Sequence, residues 1–147
     1  MPLLTWPEKK RAKLQAATLK TEAWVFPSTS EQKISPPENR VILGDNLAIM
    51  AALLQKYEGR INLIYIDPPF FTNRKFQARV GRDEDSRKPK EWQMAEGYHD
   101  HWPNLDAYLD FLYQRLILMH RLLAPDGRLY LHLDWHANAY ARLLLDE

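Results

Sequence analysis

The stretch Leu63-Ile64-Tyr65-Ile66-Asp67-Pro68-Pro69-Phe70 decides how the chain is read. It closes a β-rich apolar run that starts at Ile61 and stops at a carboxylate followed by two prolines. Adjacent prolines fix two φ angles and remove two backbone N–H donors. The carbonyls before and between them therefore sit in a rigid turn with few donors beside them. One carboxylate, a free carbonyl and an aromatic ring in a stiff array suit a flat ligand that bears an –NH₂ group. The acceptors take its two hydrogens and the ring stacks on its face, which is how an extruded base is held. The alternative is a proline-stiffened turn with a core phenylalanine.

Upstream, Val41-Ile42-Leu43 is a short apolar run ending at Gly44-Asp45-Asn46. Asn46 is a fair N-cap. Leu47, Met50, Ala51 and Leu54 follow at helical spacing, with Gly59 just past the last turn. Strand, helix, strand in this span predicts a βαβ unit and a parallel sheet. Downstream, residues 71–101 carry many charges and weak periodicity, and they read as a long loop. Basic residues between 74 and 90 could meet phosphates, or the loop is merely solvated. From Asn104 an apolar stripe of Leu105, Tyr108, Leu109, Leu112, Leu116, Met119 and Leu123 predicts a helix. Ala124-Pro125-Asp126-Gly127 predicts a turn, residues 129–134 a third strand, and 136–145 another helix. Residues 1–40 read as an irregular arm broken by five prolines, with a short helix possible from Pro7 to Leu19. Lys9, Lys10, Lys13 and Lys20 would lie on its basic face, which meets phosphates or simply solvent.

Each expected strand ends in an acid: Asp45, Asp67 and Asp134. In an open parallel sheet, ligands bind outside the carboxyl ends of the strands. Three acids there would line one edge, although aspartate is also common at such turns as a helix cap.

The bulk numbers narrow the class. The chain has 147 residues, 46% apolar content and a net charge of +1, which suits one small domain with a core. It contains no cysteine, so there is no disulfide framework, and a cytoplasmic setting is expected. It lacks an apolar run of the ~18 residues that a membrane span requires. The basic residues near the N-terminus follow its apolar start, the reverse of a signal peptide. His99 and His101 beside Asp100, and His132 and His136 around Asp134, invite a metal reading; no metal is expected. Trp92, Trp102 and Trp135 read as packing or as stacking surfaces for nucleic acid.

Asp67-Pro68-Pro69-Phe70 resembles the Asp-Pro-Pro-Tyr/Phe motif of DNA amino-methyltransferases that use S-adenosylmethionine (AdoMet). Gly44-Asp45-Asn46-Leu47 stands upstream of it at the distance seen in that family. Tyr98-His99-Asp100-His101-Trp102, the helix from Tyr108 to Leu123, and Gly127-Arg128-Leu129-Tyr130-Leu131-His132-Leu133-Asp134-Trp135-His136 follow in order. The set is similar to the N-terminal part of the β-type enzymes, including modification subunits of type III restriction systems. The resemblance implies an α/β fold: a partial Rossmann-like methyltransferase sheet with parallel strands and flanking helices. Residues 41–147 would be its catalytic-motif part. It implies DNA as partner, AdoMet as cofactor and adenine N6 as target. Asp67 would accept a hydrogen bond from the target amine, the Pro68 carbonyl would take the other hydrogen, and Phe70, held in place after Pro69, would stack on the base. Asp45, and more weakly Asp134, would lie near the donor.

The family's Phe-x-Gly-x-Gly donor loop is absent, for no two of the five glycines lie close together. In β-type enzymes that loop comes later in the chain. The expectation is a missing C-terminal half, through truncation or supply by a second chain. The alternative function is a non-catalytic remnant or subunit that binds DNA or a partner within a restriction-modification system.

Overall fold

The computed structural model describes residues 3–7, 9, 15–25, 39–80 and 93–147, with backbone alone at 78–80, 93–96 and 99. Its elements are α1 (Asn46–Tyr57), β1 (Ile61–Ile66), β2 (Arg74–Val80), β3 (Gln93–Asp100), α2 (Leu105–Leu122), β4 (Leu123–Leu131) and α3 (Asn138–Asp146). β1 pairs with β4, and β2 pairs with β3. The chain forms two compact units. The first comprises residues 1–10, 65–113 and 129–147, and the second 11–64 and 114–128.

In the second unit, α1 is capped by Asp45, whose side chain accepts from the Leu47 amide at 3.0 Å. The expected cap, Asn46, is instead the first helical residue. Both residue types cap well, and the backbone chooses the earlier one. Past the last turn Gly59 has φ 65°, a conformation that L side chains adopt only with strain. Its amide donates to the Arg121 carbonyl at 2.8 Å, and the Arg60 amide donates to that of Leu122 at 3.0 Å. The last carbonyls of α2 are thus satisfied by neighbouring backbone, and α2 needs no turn of its own to finish. The expected turn at 124–127 is instead extended backbone inside β4. Gly127 is required there: a Cβ would meet the Ile61 carbonyl oxygen at 2.9 Å and Leu123 at 2.8 Å. The core is Ala51, Leu54, Leu118 and Leu122, with Leu47, Met50, Leu53, Tyr57, Ile61 and Ile64 packed against it.

Val41-Ile42-Leu43 does not form the expected strand. Val41 and Leu43 are fully exposed, and among the described residues no strand offers them a ladder. An apolar run becomes a strand only where another edge takes its N–H and C=O groups.

In the first unit the His132 amide donates to the Ile66 carbonyl at 2.9 Å. Gly127 against Ile61 in the second unit and His132 against Ile66 here advance by the same number of residues, so β1 and β4 run parallel. The expected loop at 71–101 contains an antiparallel hairpin, β2 with β3, running from Arg74↔Asp100 to Val80↔Gln93. Residues 81–92, with Trp92 and most of the expected basic loop, lie outside the described residues. A register shift between Lys75 and Gln77 inserts one extra residue on β3, and Phe76 stacks on Tyr98 beside it at 4.8 Å. Tyr108, Leu109 and Leu112 of α2 are buried, as are Ala137, Ala141 and Leu144. The Asn104 side chain caps α2 by accepting from the Ala107 amide at 2.8 Å. α3 spans the expected position of the last helix.

Near the N-terminus Trp6 is buried and meets Tyr113 edge to face at 5.7 Å. The expected helix from Pro7 to Leu19 is absent at Gln15–Leu19, and most of its remainder is outside the described residues. Lys9, expected on a phosphate-facing or solvated face, pairs with Glu147 at 2.5 Å. Among the described residues no helix is long and apolar enough to cross a membrane.

Leu118 is fully buried in the second unit. Leu118→Ala is expected to cost about 2–5 kcal/mol, read as a lowered denaturant midpoint with the helical circular-dichroism spectrum retained in buffer.

Candidate functional site

The Asp67-Pro68-Pro69-Phe70 turn lies in the first unit, where β1 ends. Asp67 is exposed, and among the described residues its carboxylate has no hydrogen-bond partner. The same holds for the Pro68 carbonyl. The Pro69 carbonyl is occupied: the Tyr108 hydroxyl donates to it at 2.9 Å. Phe70 is half-buried with its ring 5.5 Å from that of His132, which follows β4. The turn therefore presents two vacant acceptors next to a ring held against the neighbouring strand end.

The backbone beyond the prolines is held by one side chain. Asp100, at the end of β3, is completely buried. Its Oδ2 accepts from the Phe70 amide at 3.2 Å, the Thr72 amide at 2.7 Å and the Thr72 hydroxyl at 2.7 Å. Its Oδ1 accepts from the Phe71 amide at 3.1 Å and the Trp102 indole at 2.9 Å. Successive amides converging on one anion form a nest. Phe71 and Asn73 carry positive φ, 65° and 55°, which is unusual for a bulky side chain such as Phe71. Asn73 accepts from the Trp102 amide at 3.1 Å, and Trp102 packs on Tyr108 and Phe111. Trp102 is therefore a packing residue.

Burial alone would raise the Asp100 carboxyl, but its hydrogen bonds from Thr72, Trp102 and Phe71 outweigh that and hold it below the ordinary carboxylate value. Burial pushes the Tyr108 phenol up, and the charges of Asp100 and Asp134 add to the effect. Tyr108 is thus a fixed neutral donor to Pro69.

Asp134 does not cap α3, whose N-cap is Ala137 with no side-chain bond. It accepts from the His136 amide at 2.9 Å and pairs with the His136 ring at 2.8 Å. Burial raises it, but the hydrogen bonds and charge of His136 together outweigh that and leave it lowered. His132 and His136 are thus committed to Phe70 and Asp134, the His99 side chain is outside the described residues, and among the described residues no cluster could hold a metal ion. Trp135 is exposed and stacks on His136 at 3.8 Å.

In the second unit Asp45 lines an open cavity of about 500 Å³, together with residues 15–18, Leu47 and Ala48. Its Oδ1 serves the cap and lies 3.5 Å from Arg115, whose Nε donates to Asn46 at 2.8 Å.

Sequence reasoning placed the turn but weighed Asp100 beside His99 and His101 in a metal reading, and gave it no part in holding the turn. A signal was present: the amides that follow the two prolines leave the strand and still need an acceptor, and an aspartate close to a tryptophan stood downstream. The lowered Asp100 sets a pH dependence. A carboxyl depressed on folding stabilises the native state fully above its unfolded pKa, about 3.9, and loses that contribution as pH falls below it. The wild-type advantage over Asp100→Asn in urea midpoint is expected to shrink between about pH 5 and pH 3.

A family model described as DNA methylase matches residues 61–147. The chain is 30% identical to the type III restriction-modification enzyme EcoPI Mod subunit of Escherichia phage P1, over 98% of this chain and 24% of that protein. It is 32% identical to the probable HindVI Mod subunit of Haemophilus influenzae, over 77% of this chain and 12% of that protein. It is 33% identical to the type II methyltransferase M.EcaI of Enterobacter cloacae, over 74% and 21%. The chain thus spans about a quarter or less of the length of the relatives it matches. No solved structure matches it significantly. With more than half of its length matched, including the turn and both paired strands around it, the chain belongs to the N6/N4 DNA methylase family.

Proposed function

We propose that the chain is the catalytic-motif part of a DNA adenine-N6 methyltransferase that takes its methyl group from AdoMet, built on a Rossmann-like sheet. The observation that carries this reading is a pair of acceptors, Asp67 and the Pro68 carbonyl, that have no partner among the described residues and stand beside the half-buried Phe70 ring. The whole enzyme's activity is taken from relatives of which the chain spans about a quarter or less, and a second chain or a longer polypeptide would complete it.

AdoMet supplies an electrophilic sulfonium methyl. The target amine is a poor nucleophile because its lone pair is delocalised into the ring. Asp67 and the Pro68 carbonyl would each accept one amine hydrogen and so favour a tetrahedral nitrogen with a localised pair. Phe70 would stack on the extruded base and hold it for in-line attack. The Pro69 carbonyl plays no part in this, since Tyr108 occupies it.

The residues present fit the donor in part. Asp45 stands at a cavity within the usual ligand-pocket range of roughly 300–1,000 Å³, and one of its oxygens is not used by the cap. Asp45 is therefore the chain's own contact for the adenosine portion. Asp134 is the weaker candidate, for both of its oxygens already serve His136.

The second reading is a non-catalytic DNA- or partner-binding subunit of a restriction-modification system. Titration calorimetry of AdoMet into the 147-residue chain tests the donor assignment. Heat of binding that Asp45→Ala abolishes supports it, and no binding means that the donor is held only once a completing segment is present. In a preparation that transfers methyl groups, Asp67→Ala should abolish turnover with the thermal midpoint retained. Near-normal turnover in that variant removes the role given to Asp67. Phe70→Ala should weaken capture of target DNA by about 1–3 kcal/mol, measured by fluorescence anisotropy.

A further inference from the structure

Asp100 lies thirty residues from the turn in sequence, at the end of a hairpin that the proposed mechanism does not use. We propose that Asp100 is the positioning residue of the amine-holding turn. It is completely buried, with both oxygens spent on protein donors. It gathers the amides of Phe70, Phe71 and Thr72, the Thr72 hydroxyl and the Trp102 indole onto its two oxygens, and so fixes the direction in which Asp67, the Pro68 carbonyl and Phe70 face. The inference rests on the reading of Asp67 and Pro68 as amine acceptors.

Three features support it. The prolines stiffen only the first half of the turn, because a proline constrains its own φ and the residue before it. From Phe70 onward the chain is free to swing unless its amides are tied. The positive φ of Phe71 persists only where the surroundings over-determine it, and the Asp100 bonds on both sides of it supply that. Finally, the anchor is specific to a carboxylate. All five of its partners are donors, divided between both oxygens. An asparagine, in either orientation, would turn an –NH₂ group towards at least two of them.

Two variants of the full chain test this by amide hydrogen exchange and NMR. In the wild type the Phe70, Phe71 and Thr72 amides and the Trp102 indole N–H are expected to be protected together. In Asp100→Asn all four should exchange at least about tenfold faster, and the nuclear Overhauser contact between the Phe70 and His132 rings should weaken. The α1 and α2 amides should keep their protection. Thr72→Val, which removes one donor and preserves volume, should release the Phe70 and Thr72 amides to a smaller degree. It decides the matter if Asp100→Asn does not fold. Unchanged exchange at these sites, or a loss spread evenly over α1 and α2, overturns the inference. So does methyl transfer that survives Asp100→Asn where Asp67→Ala abolishes it. Asp67→Ala should leave the amides protected, so failure of the amine reading shows in its turnover and failure of the anchor shows in the exchange.

Discussion

A buried carboxylate is costly unless its lone pairs are used, and Asp100 uses them on five donors drawn from two places in the chain, residues 70–72 and Trp102. The magnitudes decide which effect wins. A bulky residue held at positive φ costs about 1–3 kcal/mol, and hydrogen bonds to a charged group contribute about 1.5–3 kcal/mol each. Several such bonds outweigh both the strain at Phe71 and the loss of solvation. The lowered Asp100 carboxyl is the same balance seen as an equilibrium: the bonds favour the anion more than burial disfavours it. Tyr108 completes the arrangement from α2, holding the Pro69 carbonyl with a phenol that burial and nearby acids keep neutral.

A division of labour follows within the turn. Atoms on one side of the prolines are saturated by the protein: Pro69 by Tyr108, and the next three amides by Asp100. Atoms on the other side, Asp67 and the Pro68 carbonyl, are left with unmet acceptor capacity among the described residues. The proposed amine-binding site needs both halves. Unmet acceptors give it something to offer, and a saturated backing keeps those acceptors from turning inward to satisfy themselves. Preorganisation of this kind is the part of catalysis that a protein can hold ready before any ligand arrives.

The parts legible in the sequence were those whose signal is local. α1, α2 and α3 follow from apolar spacing, and β1 follows from a β-rich run closed by Asp67-Pro68-Pro69. Where an element depends on a distant partner, local reading failed. Val41-Ile42-Leu43 has the composition of a strand but no edge among the described residues to pair with. The hairpin is the converse case: β2 and β3 are charged and weakly alternating, and they exist because each supplies the other's ladder and because Phe76 meets Tyr98. The turn expected after α2 was unnecessary because Gly59 and Arg60, sixty residues earlier, already take the last carbonyls of the helix. Asp100 escaped for the same reason. Its importance lies in what converges on it, and the converging groups are backbone amides that no residue name reveals.

The extra residue in β3 sets a phase. From Val80↔Gln93 to Gln77↔Glu96 the two strands keep one register, and beyond it, from Lys75↔His99 to Arg74↔Asp100, they keep another offset by one. Side chains alternate across a strand, so a shift of one residue exchanges the faces. Asp100 reaches its donors only in the second phase. A single residue gained or lost between the offset and Asp100 would turn the carboxylate away from the turn. The few positions at the base of β2 and β3 are therefore bound to the spelling of a motif thirty residues away.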